Sequence, residues 1–169
     1  MIRVIGIDPG SVVTGYGIVD SDGQRSVLVT HGHIRVRGED LASRLGFVFQ
    51  RVGAVLQEWQ PHEMAIEDVF VSRNALSALK LGQARGAAIV AACQHEIPVA
   101  EYTPRRVKQA VVGNGGADKA QVQHMIGILL NTREKLQADA ADALAIALCH
   151  AHTRRRDPEV AQVLQRRRR

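Results

Sequence analysis

Four carboxylates in this chain stand where a fold can gather them. Asp8 closes the apolar run Ile2-Arg3-Val4-Ile5-Gly6-Ile7-Asp8, which reads as a buried strand ended by Pro9-Gly10. Side chains alternate along a strand, so Val4, Gly6 and Asp8 share one face. Glu67 sits near the end of a second such run, Glu63-Met64-Ala65-Ile66-Glu67-Asp68, with Ala65 on its face and Asp68 pointing the other way. Parallel pairing of these two strands would bring Asp8 and Glu67 together at the carboxyl edge of a sheet, where open α/β sheets place their ligands. Asp139 and Asp142 lie three apart in Gln137-Ala138-Asp139-Ala140-Ala141-Asp142-Ala143-Leu144-Ala145, helical by propensity. They project from one helical face, and the surrounding alanines let that helix approach a sheet closely. Near a helix start, the macrodipole favours their negative charge.

Crowded carboxylates repel one another, and divalent cations relieve the conflict. Two Mg²⁺ ions match the charge of four ionised carboxylates. Mg²⁺ takes oxygen ligands and keeps waters, so a few acids plus a substrate phosphate suit it. Two such ions about 3.5–4 Å apart can activate a water and stabilise the leaving oxygen of a phosphodiester. The alternative is four independently placed acids, with Asp8 an ordinary turn residue and Asp139 and Asp142 capping or solvating a helix.

The elements that must position these acids can be read in order. Strands are expected over 2–8, 13–20, 26–36, 63–68 and 98–103, with a hairpin turn at Asp22-Gly23. A helix over 40–59 has Leu41, Leu45, Val48, Phe49, Val52, Val55 and Leu56 on one face and stops at Pro61. An Ala/Leu-rich helix fills 75–95. Further helices fill 104–152, separated near Gly113-Asn114-Gly115-Gly116. The order is a β-meander, then alternating helix and strand, then helices. It predicts an α/β fold with a mixed five-stranded sheet flanked by helices, hairpins on one side and parallel crossovers on the other.

Length and composition frame this reading. The 169 residues suffice for one domain, 46% hydrophobic and 23% charged as in ordinary globular proteins. No apolar stretch reaches the roughly 20 residues of a membrane span. The N-terminus lacks a cleavable signal pattern, which gives a cytoplasmic expectation. The net charge of +5 is carried wholly by residues 154–169, with seven arginines against Asp157 and Glu159. That segment reads as a basic, disordered tail with non-specific attraction to phosphate, and residues 1–153 as the domain. Ending the chain at Thr153 is then expected to spare catalysis. Cys93 and Cys149 sit in apolar helical surroundings with no redox or metal spacing. His31 and His33 share a strand face without a third ligand, and His150 and His152 are misplaced for one helical face.

Several blocks, taken in order, resemble the RuvC family of bacterial Holliday-junction resolvases. They are Gly6-Ile7-Asp8-Pro9-Gly10-Ser11 with Thr14-Gly15-Tyr16-Gly17, then Ala65 to Phe70, then Asn74 to Gly86. Val107-Lys108-Gln109, Lys119 to Met125 and Gln137 to Ala145 complete the set, which reaches to about residue 153. The first block alone also occurs in other phosphate-handling families. The resemblance implies an RNase H-like fold, a homodimer, and paired symmetric nicks in four-way junction DNA during recombination and repair. It matches Asp8, Glu67, Asp139 and Asp142 to the family's catalytic and metal-holding acids, with two Mg²⁺ per site and Mn²⁺ as substitute. Water activated by metal would attack in line, leaving 5′-phosphate and 3′-hydroxyl ends. Tyr16 and Tyr102 are not needed as nucleophiles.

The resemblance also implies DNA contacts. Phe70 matches an aromatic that stacks on an unpaired base, beside Arg73 in a polar loop. Lys108 and Lys119 match lysines near the scissile phosphates. Asp118 reads as the N-cap of a helix that begins with Lys119 after a glycine loop. In the 75–95 helix, Leu76, Leu79, Ala87, Val90 and Ala91 are expected against the sheet. Ala78, Leu81, Gly82, Ala88 and Ala92 are expected against a second chain. The family works with the RuvA–RuvB branch-migration complex. Competing readings are an RNase H-like nuclease for other substrates, a non-catalytic junction binder, and a sugar-kinase-like phosphotransferase. The last normally needs two such domains.

Overall fold

The computed structural model describes residues 1–68, 75–132 and 136–154. The chain opens with three antiparallel strands, β1 (Ile2–Asp8), β2 (Val13–Ser21) and β3 (Ser26–Arg35). Helix α1 (Leu41–Trp59) follows, then β4 (Glu63–Glu67), α2 (Ala75–Gln94) and β5 (Val99–Tyr102). Three helices close the described chain: α3 (Pro104–Val112), α4 (Lys119–Leu129) and α5 (Ala138–Thr153). The sheet order is β3-β2-β1-β4-β5, with β4 parallel to β1 and β5 parallel to β4. The expected meander and parallel crossovers are therefore present.

Alternation along β1 divides the core into two layers. Ile5 and Ile7 join Ile18, Met64 and Ile66 under α1 and α2. Val4 and Ala65 face the other way, under α5 with α3 and α4. Helix α5 is buried over most of its circumference, because it lies between the sheet and the two shorter helices. Local caps fix the ends: Asp40 accepts from the Ser43 amide at 2.7 Å to start α1, and Thr103 with Pro104 starts α3.

Helix α2 departs from expectation. Ala84, Ala88, Ala91 and Ala92 are the buried residues, whereas Leu76, Leu79 and Val90 are exposed. A helix apolar on nearly every side has little periodicity to orient it, so the small residues settled against α1 and the sheet. Cys93 is likewise exposed, while Cys149 is buried as expected. Among the described residues, no helix is long and apolar enough to cross a membrane.

Candidate active site

The register places the acids as strand parity predicted. Gly6 pairs with Gly17 on β2 and with Ala65 on β4, so Asp8 and Glu67 lie on one face at one end of adjacent parallel strands. Helix α5 lies directly on that face. Two glycines permit the approach: a Cβ on Gly6 would stand 2.0 Å from the Ala143 carbonyl oxygen, and one on Gly15 would stand 2.1 Å from that of Asp139. Any side chain there would lift the helix. Asp139 falls in the first turn of α5, where no side chain caps the free amides and the helix dipole favours its charge. Asp142 follows one turn on. The β1–β2 connection is fastened by Thr14, whose buried hydroxyl donates to the Gly10 carbonyl at 3.2 Å.

All four acids are half-buried, and their charges interact. Burial pushes the Asp8 carboxyl up to about 7, reinforced by the charges of Glu67, Asp142 and Asp139, with Lys119 pulling the other way. Burial also raises Glu67, with Asp142 adding to the effect and Lys119 and Lys108 opposing it. Among the described residues, no three potential ligands close into a ready-made metal cage. Oxygen-only donors that raise one another's proton affinity nevertheless suit a hard divalent cation. A cation already serves one of them: the Lys119 ammonium donates to Asp142 at 3.1 Å, and that pairing raises its own pKa. The donor chemistry therefore fits a hard divalent cation.

Asp118 caps α4 as expected, accepting from the Gln121 amide at 2.8 Å, and so aims Lys119 at the acids. Glu67, Lys108, Lys119 and Asp142 line a cleft of about 260 Å³ with the stem of α3. Phe70 and Arg73 lie outside the described residues. Neither tyrosine is placed as a nucleophile. Tyr102 is buried with its hydroxyl on His150, and Tyr16 packs on the α1 side of the sheet.

The sequence of this chain matches the family described as crossover junction endodeoxyribonuclease RuvC over residues 4–150. The chain belongs to the RuvC family. A relative from Marinobacter nauticus is 56% identical over 152 residues, spanning 90% of this chain and 87% of its own. One from Methylococcus capsulatus is 52% identical over 166 residues, spanning 98% and 100%. Thermus thermophilus RuvC, solved in complex with a Holliday junction substrate, is 37% identical with a TM-score of 0.86, covering 92% of this chain and 96% of its own. The fold is thus the RNase H-like one.

Two supports were missed by the sequence reading. Arg85 on α2 donates to the Glu67 carbonyl at 2.9 Å and pairs with Glu101 and Asp68, holding the end of β4. At the other end, Glu63 binds His150 and Arg154. Arg154, the first residue after the expected boundary at Thr153, grips Glu63 through two guanidinium nitrogens. Nothing local signals either support, because the partners are 16 to 91 residues apart.

Proposed function

We propose that this protein resolves four-way DNA junctions by paired, symmetric hydrolytic nicks in recombination and repair. The observation that carries the reading is the convergence of Asp8, Glu67, Asp139 and Asp142 on one sheet edge, with Asp8 pushed up by burial and by the other three acids. Membership of the RuvC family, and the Holliday junction held by its Thermus relative, give the substrate.

Asp8, Glu67, Asp139 and Asp142 would hold two Mg²⁺, with Mn²⁺ as substitute. Bound Mg²⁺ supplies an activated water and charge stabilisation at the leaving oxygen. Cleavage by water gives 5′-phosphate and 3′-hydroxyl ends, without a protein nucleophile. Lys108 and Lys119 line the cleft and draw the phosphate backbone in against the repulsion of the acids. Phe70 stacks on an unpaired base near the junction centre, with Arg73 beside it. A homodimer places one site on each of two opposed strands. Exposed Leu76 (61%), Leu79 (58%) and Val90 (57%) on α2 support such a contact. The setting is cytoplasmic, with the RuvA–RuvB branch-migration complex as partner and residues 154–169 as a basic tail.

A strand-resolved assay tests this. A synthetic four-way junction and its linear duplex are incubated with and without Mg²⁺. Paired nicks in the junction alone, metal-dependent and resealable by ligase, are expected. Tight junction binding without cutting in Mg²⁺ or Mn²⁺ would overturn the catalytic reading.

A further inference from the structure

Asp8, Gly15 and His33 form one row across β1, β2 and β3. Residues directly paired on neighbouring antiparallel strands share a face. The Cβ position of Gly15 points at Asp139, so His33 stands on the face that carries the acids. It lies two strands from Asp8, roughly 10 Å at about 4.8 Å per strand. The next residue of β3 on that face is Arg35, paired with Val13 and one step nearer the catalytic edge. Arg35 is exposed, and β3 is an edge strand of the sheet.

Arg3, Arg85 and Arg154 are each paired with a carboxylate, whereas Arg35 has no such partner among the described residues. Lys108 and Lys119 stand on the opposite flank, beside Glu67 and Asp142. Strand pairing thus puts the Arg35 position on the flank of the acids opposite Lys108 and Lys119. A strand carrying its scissile phosphate to the acids must cross both flanks. Phosphates follow one another about every 3.4 Å of axis along a strand, so 10 Å corresponds to about three nucleotides.

We infer that Arg35, with His33 beside it, binds a backbone phosphate of the cleaved strand about two to three nucleotides from the cut, on the flank opposite Lys108 and Lys119. This rests on the junction-cutting reading. The contact positions the strand and carries no sequence information. It also offsets repulsion between the acid cluster and the neighbouring phosphates.

The test pairs Arg35→Ala with neutral methylphosphonate linkages, introduced singly at each phosphate around the cut. Junction binding by the full-length protein is measured in Ca²⁺, and cleavage in Mg²⁺. Arg35→Ala is expected to weaken binding several-fold and to flatten the slope of log affinity against log salt by about 0.9, one phosphate contact. At one linkage, two to three nucleotides from the cut by the spacing above, methylphosphonate should weaken wild type but not Arg35→Ala. Arg35→Lys should restore much of the affinity. An unchanged salt slope, or losses that add at every linkage, would overturn the inference while wild-type cutting left the parent reading standing. A wild-type protein that cuts no junction would overturn both.

Discussion

Nε2 of His150 lies 2.7 Å from Oε2 of Glu63, joining the last turns of α5 to the first residue of β4. The imidazole is fully buried, and its Nδ1 meets the Tyr102 hydroxyl at 2.8 Å. An ionised carboxylate only accepts, so Nε2 carries the proton in this bond. One side chain thereby ties the helix bearing Asp139 and Asp142 to the strand bearing Glu67.

The Glu63 contact is expected to make stability pH-dependent. Burial alone would raise this carboxyl, but hydrogen bonds and charge from His150 and Arg154 outweigh it and hold the group down at about 2. A depressed acid stabilises the fold fully above its unfolded value of 4.5, and that contribution is lost as pH falls towards about 2. Glu63→Gln should cost roughly 3 kcal/mol at neutral pH, with the difference from wild type closing across that window. Urea unfolding at a series of pH values measures it. A penalty equal at all pH values would refute the charged contact.

The same contact is expected to make Arg154 part of the folded unit. A chain ending at Arg154 should melt like the full-length protein. One ending at Thr153 should lose about 1–3 kcal/mol, since it leaves Glu63 short of a charge-assisted partner. Thermal unfolding of the two truncations distinguishes them, and equal melting temperatures would return Arg154 to the tail.

Asp8→Asn should abolish cutting and leave junction binding intact. It also has a signature independent of activity. A raised acid stabilises the fold below its unfolded value, and that contribution is lost as pH rises through about 7. Without metal, Asp8→Asn should therefore exceed wild type by ~2–4 kcal/mol above pH ~7, and the gap should narrow on acidification. Mg²⁺ should raise the wild-type melting temperature more than that of the variant. Calorimetry with and without Mg²⁺ reads both effects.

Gly15→Ala should disturb catalysis without touching a carboxylate. Its methyl group would collide with the Asp139 backbone, so the start of α5 must lift. A displacement near 1 Å can cost about 100-fold in rate, and the overpacking about 1–3 kcal/mol. Gly46→Ala is the control, because nothing lies within 4 Å of the added methyl. Single-turnover cleavage alongside junction affinity would show whether the loss is confined to chemistry.

Much of this architecture is written in local pattern. The strand end at Asp8, the spacing of Asp139 and Asp142, and the cap at Asp118 each follow from short-range rules, and the structure has them at those places, while β4 stops at Glu67, one residue short of the expected 63–68. The α2 face was misread because Ala and Leu alternate around the helix without a polar side. The role of His150 is not legible in its spacing from His152, because its partners are 48 and 87 positions away. Arg85 was hidden for the same reason. Pairings of that range are fixed by sheet order and helix docking, which one sequence constrains weakly.

Glu63 and Glu67 occupy the same face of one five-residue strand, yet their surroundings drive their proton affinities in opposite directions. Acidification therefore discharges β4 from the cutting end first and from the His150 end last. The molecule should fall silent as a nuclease while its framework is still intact, and regain its charge on neutralisation without having to refold.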